Sequence, residues 1–133
     1  MPLELAPFRN ALASLERGLV RHRPNPHDEE LRDACIQRFE YCFELSWKML
    51  KRQIEDEIGN TAEVDGYSKR TLFRVAAERG LIDSPEPWFT YLVQRNKTSH
   101  AYNAQIAAEL ASVLEAFFID AKSVLATLES RNA

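Results

Sequence analysis

Nine residues in the second half of the chain, Arg95 to Asn103, read RNKTSHAYN. They gather an arginine, a lysine, a histidine, a tyrosine, two hydroxyls and two asparagines just after the apolar run WFTYLV. Each of these groups is costly to bury without a partner. The segment is therefore either a helix end meeting water or a working site.

The chemistry these residue types support is phosphate chemistry. Arginine is a permanently charged, bidentate phosphate clamp, and histidine titrates near neutral pH and can move a proton. Together they suffice in outline for RNA cleavage without a metal: a 2′-hydroxyl attacks the adjacent phosphorus, the imidazole serves as general base or acid, and the guanidinium stabilises the added negative charge. The spacing imposes a condition. In one unbroken helix Arg95 and His100 would lie about 500° apart in rotation, hence roughly 140° apart around the axis, and could not cooperate within one chain. Thr98 and Ser99 are weak helix formers and good caps, so a break between Asn96 and Asn103 is expected. The break lets the two groups converge within one chain or across a dimer seam. On these nine residues alone, a polar connection between two helices is the favoured reading.

The elements that must hold this segment are helical. The chain has 133 residues, 45% hydrophobic and 28% charged, with only four glycines and no alternating pattern that would support a sheet. That length fits one domain, residues 1–133, with a continuous core. No apolar run is long enough for a membrane span, and MPLELAPFRN lacks a basic segment followed by an apolar core, so a cytoplasmic protein is expected. The net charge of −3 argues against a general nucleic-acid coat and leaves RNA contact to a local basic patch.

Leu5, Phe8, Leu12, Leu15 and Leu19 recur at spacings of three and four, predicting a helix from Leu5 to Arg21 that ends in the proline-containing stretch RHRPNPHDE. A second helix, Glu29 to Ile58, stops at Gly59-Asn60 and would be about 45 Å long. GNTAEVDGY reads as a loop; Ser68 caps a short helix through Arg79, Ser84 caps another with Pro85 in its first turn, and a last helix runs from Ala104 to about Glu129. Both long helices carry two apolar stripes, which predicts self-association or a docked partner. Cys35 and Cys42 share a face two turns apart, roughly 10 Å, too far for a disulfide, and read as small core residues. Glu40, Glu44 and Lys48 lie four apart on one helix face and read as a solvated or inter-helix charge ladder, with Glu44 and Lys48 in the favourable order for an ion pair. Trp47 and Trp88 read as core or interface anchors, while Lys69, Arg70 and Arg74 form a solvated face or part of a basic rim.

IQRFEYCFELSWKMLK, Ile36 to Lys51, followed in order by WFTYLVQ and RNKTSHAYN, resembles the HEPN superfamily and specifically its stand-alone branch of nucleotidyltransferase substrate-binding proteins. The resemblance runs from Leu5 to about Leu128 and is weakest from Arg21 to Asp28. It implies an all-α, up-and-down antiparallel bundle of about five helices, four main and one short, acting as a homodimer with a separately encoded minimal nucleotidyltransferase as partner. It also implies a toxin-like, metal-independent endoribonuclease without cofactor, in which Arg95 clamps phosphate, Asn96 orients and His100 transfers the proton. Tyr102 matches the tyrosine whose hydroxyl the partner is thought to modify with adenylate. Two other readings remain: a non-catalytic subunit that presents an RNA or nucleotide substrate to the nucleotidyltransferase, and a purely structural dimer.

Overall fold

The computed structural model describes residues 2–133. Six α-helices follow one another: α1 (Ala6–His22), α2 (Glu29–Ile58), α3 (Thr61–Asp65), α4 (Lys69–Glu78), α5 (Glu86–Asn96) and α6 (Ala104–Arg131), with a 3₁₀ turn at Thr98–His100 between the last two. The described residues form no strand, and none of their helices is long and apolar enough to cross a membrane. The architecture is an all-α bundle with α2 at its centre, packed on α1, α4, α5 and α6.

Local chemistry sets most helix ends. Asp28 caps α2 by accepting from Leu31 N at 3.0 Å, and Gly59 ends it in the left-handed region at φ 74°, where a side chain would be strained. Ser68 caps α4 through Thr71 N, and Asn103 caps α6 by accepting from the amides of Gln105 and Ile106. Two expectations need correction. The stretch read as a loop contains α3, capped by Asn60 on Glu63 N; its one buried residue, Val64, is too little to show a helical period. Pro85, rather than Ser84, stands at the N-cap of α5, and the Ser84 hydroxyl bonds the Glu86 carboxylate instead of a backbone amide.

The core explains the double stripes. Phe39 and Phe43 of α2 meet Phe73 of α4, Trp88 and Tyr91 of α5 and Phe117 of α6 in a continuous aromatic cluster; Phe39 and Phe117 lie edge to face at 4.8 Å between centroids. Along the same face of α2 as Phe39, Cys35 and Cys42 are buried as free thiols, Cys35 against Gly18 of α1, and burial pushes the Cys42 thiol up to about 12. Gly18 permits this approach of α1, since a Cβ there would come within 2.9 Å of Cys35 Sγ. Both stripes of α2 and of α6 are thus covered, fully or partly, within one chain.

Candidate functional site

The expected break lies within the polar segment. α5 ends at Asn96, the Thr98 hydroxyl donates to Arg95 O at 2.9 Å, and the 3₁₀ turn closes with His100 N on Lys97 O. Asn103 then starts α6 with its two amide contacts. Hydroxyl and amide side chains that would weaken a continuous helix here close one helix and open the next.

Arg95 projects from the last turn of α5 onto the middle of α2. Its Nε donates to Glu44 Oε1 at 3.0 Å, and Nη2 stands 3.7 Å from Glu40 Oε1. Glu44 uses its second oxygen to accept from Trp47 Nε1 at 3.1 Å, so one carboxylate holds both the arginine and the indole. Among the described residues no hydrogen bond engages the Nη atoms of Arg95. The guanidinium is therefore fixed by its inner edge while its outer edge keeps donors for a bidentate acceptor such as phosphate.

Glu40 and Glu44, read from the sequence as a solvated or inter-helix ladder, make an inter-helix contact whose partner the sequence did not show. They answer Arg95, 51 residues beyond Glu44 in the chain, while Lys48 lies over the Trp47 ring at 6.0 Å instead of continuing a ladder with Glu44. Their spacing of four on one helix face is the only local signal they carry.

His100 and Tyr102 are both exposed, with ring centroids 6.1 Å apart and the rings tilted by 68°. Tyr102 is 86% exposed, the most open of the large apolar and aromatic side chains among the described residues. Asn96 is exposed, and among the described residues its side chain has no hydrogen-bond partner. Nor does any hydrogen bond among the described residues join Arg95 to His100. Beside them, Asp33, Gln37 and Glu40 of α2 face Thr98, Ala101 and Tyr102 across an open groove of about 250 Å³. Among the described residues no three His, Cys, Asp or Glu side chains converge as metal ligands would. The arrangement is a solvent-facing end of α5 offering a braced guanidinium, an unengaged imidazole and a phenol.

Residues 3–130 match the family described as nucleotidyltransferase substrate binding protein like. Over 117 residues the chain is 34% identical to a Haemophilus influenzae protein named probable ribonuclease HepT, covering 88% of this chain and 80% of that one. A solved structure from Haemophilus influenzae, described as revealing the fold of a substrate binding domain of a nucleotidyltransferase, superposes with a TM-score of 0.88 at 30% identity, over 95% of this chain and 99% of the other. A crystal structure from Thermus thermophilus gives 0.77 at 31% identity, over 91% and 98%. The chain belongs to the nucleotidyltransferase substrate binding protein like family, the branch of the HEPN superfamily that its motifs resemble.

Proposed function

We propose that this protein is a metal-independent endoribonuclease that works as a homodimer, a toxin component held in check by a separately encoded minimal nucleotidyltransferase. The observation that carries the reading is the bracing of Arg95 by Glu44, which leaves the outer donors of the guanidinium open on the surface that also carries His100. The imidazole of His100 takes the 2′-hydroxyl proton of RNA, the alkoxide oxygen bonds to the adjacent phosphorus, and the bond from phosphorus to the 5′-oxygen breaks. The departing oxygen receives a proton, and Arg95 neutralises charge on the non-bridging oxygens while Asn96 orients them. In a single copy this surface is wet, which weakens every electrostatic contact. A second copy laid over it would exclude water and strengthen them.

The name of the Haemophilus ribonuclease supports the activity, and the description of the Haemophilus structure supports a nucleotidyltransferase partner. The exposed phenol of Tyr102 supports a role as adenylate acceptor: its oxygen attacks the α-phosphorus of ATP bound by the partner, and pyrophosphate leaves. A specific observation also favours a second reading, a non-catalytic subunit that presents substrate to the nucleotidyltransferase. Glu40 and Glu44 place two negative charges beside Arg95, which works against phosphate binding.

Expression of the chain alone decides between the two. The ribonuclease reading expects slowed growth and fragmented RNA, both abolished by His100→Ala; a harmless wild type that leaves RNA intact while still binding its nucleotidyltransferase establishes the second reading. Intact mass after co-expression tests Tyr102: adenylate-sized increments that vanish in Tyr102→Phe are expected, and their persistence in that variant excludes this acceptor.

A further inference from the structure

Away from the polar segment, α4 and its neighbours carry a concentration of cations that the acidic average charge conceals. Lys69 Nζ sits 4.7 Å from the centre of the Trp47 ring, and Arg70 and Arg74 lie 4.8 and 5.2 Å from the centre of Phe89. With Lys48, also over Trp47, they make four exposed cations on two half-buried rings. Among the described residues none of the four has an ion-pair partner, whereas Arg9, Arg23, Arg79, Arg95 and Arg131 each hold a carboxylate. A cation resting on a ring face is oriented without using up its N–H donors, which stay free for phosphate.

Two further features give this face a direction. A groove of about 340 Å³ opens between Trp47, Tyr67, Lys51 and Lys69, with Lys51 paired to Asp65 at its edge. Trp47 is tied through Glu44 to Arg95, so the aromatic end of the patch and the guanidinium of the candidate site share one carboxylate. Alternating rings and unpaired cations along a surface suit a flexible single strand, whose bases stack and whose phosphates track the charge, better than a rigid duplex.

We infer that the N-terminal end and α5-facing flank of α4, with Lys48, Trp47 and Phe89, form a binding surface for a single RNA strand that leads to Arg95. The inference rests on the ribonuclease reading for its choice of RNA and for its direction; the surface itself stands on the cation and ring geometry.

The test uses full-length protein carrying His100→Ala, so that RNA stays uncut, and fluorescence anisotropy with a labelled oligouridylate of about 20 nucleotides, long enough to exceed a typical single-strand site. The triple variant Lys69→Ala, Arg70→Ala, Arg74→Ala is compared with a charge-matched control, Arg17→Ala, Arg21→Ala, Lys122→Ala, whose residues are exposed cations elsewhere. The patch variant is expected to bind at least tenfold more weakly and to lower the slope of log affinity against log salt by about 2, since each single-strand phosphate contact contributes roughly 0.7. The control is expected to change affinity less than threefold, and Trp47→Phe to weaken binding and remove strand-induced quenching of tryptophan fluorescence. Equal losses in both triple variants, or no binding by the parent protein, overturn the inference. So does unchanged RNA affinity in a patch variant that no longer captures the nucleotidyltransferase, which would assign the face to protein docking. Patch-dependent binding alongside a wild type that cuts no RNA overturns the ribonuclease reading and leaves the surface standing; cleavage that is indifferent to the patch does the reverse.

Discussion

Two charge clusters on α2 use similar groups to opposite ends. Near its C-terminus, Glu57 receives Gln53 Nε2 at 2.8 Å, Arg79 Nε at 2.9 Å and Arg131 Nη1 at 2.8 Å, and Arg131 also donates to Arg79 O. Asn132 extends the network, accepting from Leu3 N and donating to Gln53, so that both ends of the chain are tied to α2. In the middle of the same helix, at Glu40 and Glu44, an arginine is flanked by two carboxylates, held by one hydrogen bond, and left with donors to spare. The first cluster answers its groups with one another and serves as a clamp. The second orients a charge and keeps part of its bonding capacity open, as a ligand site requires.

Removing the central charge of each cluster should therefore separate activity from stability. Arg95→Ala is expected to lower RNA cleavage by roughly 10²–10³-fold, the range for deleting one preorganised charge donor, with the thermal midpoint nearly unchanged because the side chain is partly exposed. Arg95→Lys should recover little of the loss, since an ammonium cannot span a phosphate with two coplanar donors while Glu44 holds it. Cleavage assays paired with thermal melts check both. A large fall in the midpoint for Arg95→Ala would place it among the clamps.

Glu57→Ala should show the reverse pattern. It removes the acceptor of Arg79 Nε, Arg131 Nη1 and Gln53 Nε2, and a loss of about 1.5–3 kcal/mol is expected from the range for hydrogen bonds to charged groups. Urea titration measures it, and cleavage per folded molecule should stay at the wild-type level. Gly80, at φ 74°, lies against this clamp: a Cβ there would stand 3.2 Å from Arg131 Nη2. Gly80→Ala should therefore cost more than Gly59→Ala, which shares the same φ but meets nothing.

The two clusters were not equally legible in the sequence. Helix ends governed by short-range rules could be read directly, as the span Glu29 to Ile58 with its stop at Gly59 and the start of α6 at Ala104 illustrate. The break inside the polar segment followed from the same local chemistry. The apolar periodicity of α2 and α6 located their core faces, but period alone does not say whether a second face meets its own chain or another. Here α1, α4 and α5 cover it. Neither Glu44 with Arg95 nor Glu57 with Arg131 was visible, because residues 51 and 74 apart come together only through the tertiary crossing of helices. In the first case a helical spacing of four even pointed to the wrong partner, Lys48. The ring partners of Lys69, Arg70 and Arg74 were hidden for the same reason.

A smaller effect is expected at Glu44, where bracing and repulsion act in opposite senses. Glu44→Gln removes a negative charge beside Arg95, yet its single amide oxygen cannot hold Arg95 and Trp47 as a carboxylate does. RNA should bind a few-fold more tightly, most clearly at low salt, while kcat falls because the guanidinium is less well placed. KM and kcat would then drop together. A variant that lost affinity would instead mean that Glu44 assists binding.

The smallest effect separates the clamp from an exposed pair by pH and salt. Burial opposes ionisation of Glu57, but its donors Gln53, Arg131 and Arg79 outweigh it and hold the carboxyl below its ordinary value of 4.5. Its folded pKa being depressed, its contribution to stability is complete above about that pH and is lost as pH falls through the lowered folded value. Glu115 is also held low, by its hydrogen bonds from Arg23, but both side chains of that pair are about half exposed, 52% and 49%. Below pH 4.5 the fall in unfolding free energy should be shallower in both Glu57→Gln and Glu115→Gln than in the wild type. Raising the salt should erase the Glu115 difference, which water and ions screen, and preserve most of that at Glu57, whose side chain is 18% exposed. If salt erased both equally, the Glu57 cluster would be a surface pair like the other, and its contrast with Arg95 would reduce to the number of hydrogen bonds.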